Sequence, residues 1–171
     1  RAAARAATRH LLAHDYRSLA LFNGPTESAG SRQHREGFLE AVAEDAPETR
    51  VSEYSTRIAR AHAAQVALDV LARPSRPRAV YCATDEQAYG VLFACHRLGL
   101  RVPDDVAVTG FDGTEHSAYS YPPLTTVRQP VEAMAERAME LLAHGGDRVR
   151  ETVAFDLAVR ESCGHHEAGA D

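Results

Sequence analysis

At 171 residues, 44% apolar and 25% charged, the chain has the length and balance of one soluble domain with a core of its own. A formal net charge of −5 leaves no electrostatic footprint for nucleic acid, and no basic arm, aromatic-basic interleaving or zinc-finger spacing replaces it. No apolar run approaches a membrane span and no leader is visible, while three scattered cysteines without a CxxC argue against a disulfide framework or a thiolate metal site and fit a reducing cytoplasm.

Residues 1–13 are Ala-rich, with Leu11 and Leu12 closing an apolar face, and are expected to form a helix. The chain starts in this helical pattern without an initiator Met, so it is expected to be part of a longer protein. Ser18 to Phe22 is a short continuous apolar run stopped by Asn23-Gly24-Pro25, the pattern of a buried parallel strand and its turn. A helix is expected from Ser31 to Glu44 with Phe38, Leu39 and Val42 inward, then a strand over Val51 to Tyr54. A helix over 59–72, with Val66, Val70 and Leu71 on one side, is ended by Pro74 and Pro77, and Ala79 to Ala83 reads as the third strand.

The next helix spans Glu86 to Leu98, with Ala88, Val91, Leu92, Cys95 and Leu98 on one face and Gly99 at a left-handed cap. Val106 to Thr109 is the fourth strand, and the stretch Pro122 to Pro130 reads as a crossover. Pro130 opens a helix whose stripe is Val131, Met134, Ala135, Ala138, Leu141 and Leu142, ending at Gly145-Gly146. Thr152 to Val159 alternates as a last strand, and a polar tail from Arg160, disordered over 164–171, is expected to close the chain. Short apolar strands alternating with helices mean right-handed βαβ crossovers: an α/β fold, a parallel sheet with helices on both faces.

In such a sheet ligands sit beyond the carboxyl ends of the strands, where unpaired N–H groups converge. The residues to examine are 23–31, 54–58, Thr84-Asp85 and Asp112. Thr84 and Asp85 are expected either to cap the following helix or to face the ligand. Asp112 precedes Gly113 rather than a helix, so its carboxylate has no such local duty. His10, His14, His62, His96, His116 and His144 are scattered singly and read as solvated surface, and His165-His166 in the tail as incidental, with no metal site and no cofactor expected. No GxSxG, GxGxxG, P-loop or HExxH occurs, and Asp85 with Asp112 as a hydrolase pair is better explained by local context, so no enzyme is expected.

Taken in order, several segments resemble the effector-binding core of the LacI-type (lactose repressor) family of transcriptional regulators. They are Leu19 to Pro25, Gly37-Phe38, Arg76 to Asp85, Ala88-Tyr89-Gly90, Leu98 to Asp112, Pro123 to Pro130 and Val159 to Ser162. The resemblance implies a periplasmic-binding-protein-like (type I) fold, in which two α/β subdomains of a homodimer close on a small molecule. It places residues 1–163 mainly in the second subdomain, with 130–144 a helix belonging to the first, and puts a DNA-binding headpiece upstream of this chain. The effector implied is a sugar, polyol or nucleobase, and the dimer contacts implied lie around residues 86–97 and 115–121.

Carried over position by position, the resemblance puts ligand contacts at Ser28, Gly30, His34, Ile58, Thr84, Asp112 and Gln129. Three of these depart from the family pattern. His34 stands where members place Arg, and Arg35, rotated about 100° further round the helix, is no substitute. Thr84 replaces a common Asn, and Ile58 replaces an aromatic residue that would stack on a sugar ring. These departures leave room for a smaller, less hydroxylated or more acidic ligand, with His34 charged only below about pH 6.5. Two functions follow: the sensor of a cytoplasmic repressor, with operator DNA held only by the headpiece, or a solute-binding protein of a sugar transporter. Unpaired cysteines and the Pro123 to Pro130 run favour the repressor.

Overall fold

The structure, a computed structural model, describes residues 1–144 and 151–164. Helix α1 covers Ala2–Ala13, strand β1 Ser18–Asn23, α2 Ala29–Asp45, β2 Arg50–Ser55, α3 Arg60–Leu71, β3 Ala79–Cys82, α4 Asp85–Arg97 and β4 Ala107–Asp112. A 3-10 turn, Glu115–Ala118, then leads to β5 Thr125–Arg128, α5 Val131–His144 and β6 Asp156–Ala158. The strands form one sheet in the order β2-β1-β3-β4-β5-β6, parallel except for the antiparallel edge strand β6.

Alternation along β1 shows why both faces need helices. Leu19 and Leu21 point to the side covered by α1 and α2, while Ala20 and Phe22 point to the side covered by α3 and α4. A strand buried on both faces cannot alternate apolar with polar, and every residue of β3 is buried. The chain moves from β1 out to β2 through α2, then returns past β1 to β3 through α3. Right-handed crossovers in opposite directions put those two helices on opposite faces. The strand order therefore reverses between β1 and β3, which opens a crevice at their carboxyl ends.

Small residues set the helix spacing. A Cβ on Gly37 of α2 would run into the Arg1 carbonyl and the Arg5 N–H of α1, and one on Gly90 would meet the Arg60 carbonyl and the Ala64 N–H of α3. Ala4 and Ala7, and Ala63 and Ala67, lie buried in the same two layers. Along the rim of the first pair, Arg1, Arg5 and Arg9 meet Glu40, Glu44 and Asp45 in a ladder that ends with Arg9 Nε on Asp45 at 2.6 Å. These groups reach solvent, so the ladder contributes little to stability.

Three expectations need correction. The stretch read as a crossover contains a strand, β5, whose Thr125, Thr126 and Val127 are buried between β4 and β6. The last strand is shorter than Thr152 to Val159, and spans Asp156–Ala158 only. The tail does not begin at Arg160. Ser162 and Cys163 are wholly buried, and Ser162 accepts from the Thr125 N–H at 2.8 Å and donates to the Val108 carbonyl at 2.6 Å, tying β4 to β5. Gly164 is buried as well, and the rest of the expected tail lies outside the described residues.

Candidate functional site

The expected ligand residues all stand along the carboxyl edge of the sheet, each delivered by the strand before it. Ser28 and Gly30 lie exposed at the start of α2, after β1; Ile58 lies exposed after β2; Thr84 follows β3; Asp112 ends β4; Gln129 follows β5. His34 projects from the second turn of α2 and is half-buried. The structure brings some of them into contact and leaves others apart.

Asp112 and Gln129 form one pair. The Gln129 side-chain amide donates to Asp112 Oδ1 at 2.9 Å, and its main-chain N–H reaches the Asp112 carbonyl at 3.3 Å. Asp112 has φ of 131°, a conformation that favours glycine, so the carboxyl is held there at a cost in backbone strain. Gly113, at φ 73°, permits the turn that follows, where a Cβ would strike Arg128. Burial raises the Asp112 carboxyl to about 6, and the Asp85 carboxylate adds to the rise. The Asp85 main-chain N–H and the Gln129 amide pull it partly back. A carboxyl of this kind changes charge close to neutral pH.

His34 belongs to a second group. Its Nδ1 lies 2.6 Å from the Tyr81 hydroxyl, and its ring stands edge-on to Phe111 with centroids 4.6 Å apart. Burial pushes the imidazole down to about 4, so His34 is neutral at pH 7. The expectation of a charge below about 6.5 is corrected by this enclosure. Tyr81 is itself fully buried and its phenol is pushed well up, so it stays protonated. Nothing in the sequence pairs residue 34 with residue 81; only the stacking of α2 over β3 does.

Thr84 caps α4: its hydroxyl accepts from the Gln87 N–H at 3.2 Å and donates to Gln87 Oε1 at 3.1 Å. Gln87 in turn donates to Thr56 at 2.7 Å, which locks the β2–α3 loop to the same corner. Asp85 does neither of the things expected of it. Fully buried, its carboxylate accepts from Thr126 Oγ1 at 2.6 Å, from the Thr114 N–H at 2.8 Å and from Thr114 Oγ1 at 2.9 Å. It braces the loop after Asp112 and is inaccessible to a ligand. Ile58 packs beside Gly24, at the outer rim of the crevice.

Two further surfaces stand apart from the strand ends, one unforeseen in the sequence and one within the stretches 86–97 and 115–121 where dimer contacts are implied. His10 and His14, expected as isolated solvated residues, are half-buried with ring centroids 5.0 Å apart, and His10 Nε2 lies 3.1 Å from Cys163 Sγ. Their spacing of one helical turn was the available signal. On the opposite face Phe93, Tyr119 and Tyr121 are exposed around a groove of about 520 Å³ that also takes in Tyr89, His96 and His116.

Residues 8–163 match the family of periplasmic binding protein-like domains. The HTH-type transcriptional repressor PurR of Escherichia coli is 32% identical over 139 residues, 80% of this chain and 40% of the relative. Among solved structures, a LacI-family transcriptional regulator from Sanguibacter keddieii superposes with a TM-score of 0.84 at 33% identity, covering 96% of this chain and 64% of that one. The dimeric Lac repressor with an 11-residue C-terminal deletion superposes with a TM-score of 0.86 at 26% identity, covering 94% of this chain and 60% of that one. The chain thus spans about 40% of the length of the curated relatives it matches. These relatives are regulators rather than transport proteins or enzymes. With this match running through β1 to β6, the chain belongs to the periplasmic binding protein-like domain family, as part of an effector-binding domain of the LacI type.

Proposed function

We propose that this chain is the ligand-sensing and dimerisation portion of a cytoplasmic DNA-binding repressor that responds to a sugar, a polyol or a nucleobase. The observation that carries the reading is the 32% identity to a repressor across 80% of the chain. Operator DNA is then contacted by a headpiece outside these residues, in keeping with the net charge of −5.

In this reading residues 1–163 are mainly the second subdomain of the sensor, and α5 belongs to the first. The exposed apolar residues of α5, Val131, Met134, Met139 and Leu142, support that assignment, because a helix of this kind needs a partner surface. Effector is held along the strand ends. Asp112 and Gln129 bind its polar groups, His34 presents a neutral ring, and Ser28, Gly30, Ile58 and Thr84 form the rim. Ligand that prefers one angle between the subdomains shifts the population of that angle, and with it the spacing of the headpieces in the dimer. The groove around Phe93, Tyr119 and Tyr121 supports a dimer through α4 and residues 115–121.

The test is a calorimetric titration of sugars, polyols and nucleobases into the full-length regulator, followed by operator binding with and without the ligand found. Binding lost in Asp112→Asn together with a ligand-dependent change in operator affinity is the expected result. Operator affinity indifferent to every one of these ligands, or full binding in Asp112→Asn, overturns it.

A further inference from the structure

At the end of the sheet remote from Asp112, three residues that no part of the sensing site uses come together. His10 and His14 sit one turn apart on α1, so both rings leave the same face of the helix. Cys163, from the segment that follows β6, lies beneath them, wholly buried. One ligand atom from each residue falls within 4.8 Å of the others. His10 Nε2 and Cys163 Sγ are 3.1 Å apart. A tetrahedral ion with ordinary metal–nitrogen and metal–sulfur bonds holds such a pair about 3.6 Å apart, so this pair would open by about half an ångström around one.

The surroundings of the cluster suit a bound ion. Thr125 Oγ1 lies 2.9 Å from Cys163 Sγ and 3.0 Å from the Arg160 carbonyl, so its one proton can turn to a thiolate only by leaving that carbonyl. Gly164 lets the chain pass against His14, since a Cβ there would stand 2.6 Å from the ring. A cleft of about 430 Å³ lined by His14, Tyr16 and Arg78 brings solvent to the His14 side of the cluster. Arg17, on the same cleft, has its charge met by Asp15 at 2.7 Å.

We propose that His10, His14 and Cys163 form a binding site for a borderline-soft divalent cation of the zinc class. Two imidazoles and one thiolate select such an ion over magnesium or calcium, which take oxygen ligands. The ion displaces the Cys163 thiol proton, so one proton is released for each ion bound. The bound ion clips the first helix to the segment after the last strand, joining residues 153 positions apart. This site stands independently of the sensing function.

The experiment is a titration of the metal-free 171-residue chain with Co²⁺ and with Zn²⁺. Expected are one ion per chain, a near-ultraviolet thiolate-to-cobalt band with tetrahedral visible bands, about one proton released per ion at pH 7, and a rise in Tm with zinc. Cys163→Ser abolishes the thiolate band, and His10→Ala and His14→Ala each weaken zinc binding by about tenfold or more. His14→Ala, at a half-exposed position, keeps the test sound if Cys163→Ser fails to fold, which circular dichroism without metal reveals. His165 and His166 are retained in every variant, so a loss belongs to the residue replaced. A thiolate band that survives Cys163→Ser, one that disappears instead in Cys82→Ser or Cys95→Ser, or no change in Tm with zinc overturns the proposal.

Discussion

Gln129 grips Asp112 twice, by its side-chain amide at 2.9 Å and by its main-chain N–H at 3.3 Å, and so holds a strained residue at the mouth of the crevice. The backbone there adopts φ of 131°, which an L side chain rarely takes. A carboxyl kept in place against backbone strain and burial is poorly explained as a contributor to stability. It fits a group positioned for a ligand.

That strain leads to the first prediction. Asp112→Ala loses the Gln129 bond and keeps the strain, whereas Asp112→Gly loses the bond and relieves the strain. Glycine should therefore exceed alanine in stability at this position by up to about 2.5 kcal/mol, the strain relieved less the roughly 0.5–1 kcal/mol by which glycine falls short in an ordinary strand. Urea unfolding of the two variants at pH 7 measures the difference. Alanine as the more stable variant would show that the backbone there is relaxed.

Asp112 and His34 also pull the pH dependence in opposite directions. The Asp112 carboxyl is raised from 3.8 to about 6 in the fold, so between those values the folded state carries more protons than the unfolded one. Its contribution to stability falls as pH rises through that window. The His34 imidazole is lowered from 6.5 to about 4, so the unfolded state carries more protons there, and its contribution rises with pH. The two offset each other between about pH 4 and 6. Asp112→Asn should then steepen the rise of stability with pH, and His34→Phe should flatten or invert it. Unfolding free energies at half-unit intervals test both slopes; parallel curves for the three proteins would rule the linkage out.

The third prediction concerns Asp85, whose three short bonds hold the loop after β4 to the start of α4. Asp85→Ala leaves the Thr114 N–H and the Thr126 hydroxyl without their acceptor in a buried corner. The expected cost is about 2–4 kcal/mol, since each unsatisfied buried group costs about 1–3 kcal/mol. Ligand binding should weaken along with stability, because that loop follows directly on Asp112. A loss under about 1 kcal/mol in thermal unfolding would mean that water replaces the carboxylate.

The layered fold was legible in the sequence because its signals are local. Leu19 to Phe22 and Ala79 to Cys82 are continuous apolar runs, and Gly99 does sit at φ of 67°, where a left-handed cap was expected. Strand β5 was hidden because it has four residues and begins with two threonines, whose hydroxyls are satisfied by the Arg160 carbonyl and by Asp85. The place of each candidate residue at a strand end could be read from the punctuation of the chain. Which of them touch could not, since His34 meets Tyr81 across 47 positions and Asp112 meets Gln129 across 17. Contacts of that range depend on strand order, which the residues themselves do not state.

The aromatic groove gives a prediction about assembly. Tyr119 and Tyr121 are 81% and 97% exposed, and with Phe93 they make an apolar patch beside α4 of the kind that interfaces bury. Tyr121→Glu, combined with Phe93→Glu, should turn a dimer into a monomer while leaving the far-ultraviolet circular dichroism unchanged. Light scattering across a concentration series reads this directly. A wild-type chain that stays monomeric at high concentration would remove the groove as a dimer surface.

Helix α5 provides the last prediction. Val131, Met134, Met139 and Leu142 are all exposed, and a 14-residue helix without tertiary packing is marginal in water. In the 171-residue chain, its amides should exchange within seconds under conditions in which those of β3 and α4 are protected. Restoring the first subdomain should slow α5 by several orders of magnitude, because the stripe would then be covered. If the short chain self-associates through this stripe instead, protection of α5 rises with protein concentration and Leu142→Glu abolishes the rise. Exchange mass spectrometry at two concentrations separates these cases, and a monomer in which α5 is as protected as β3 would refute the assignment of that helix to another subdomain.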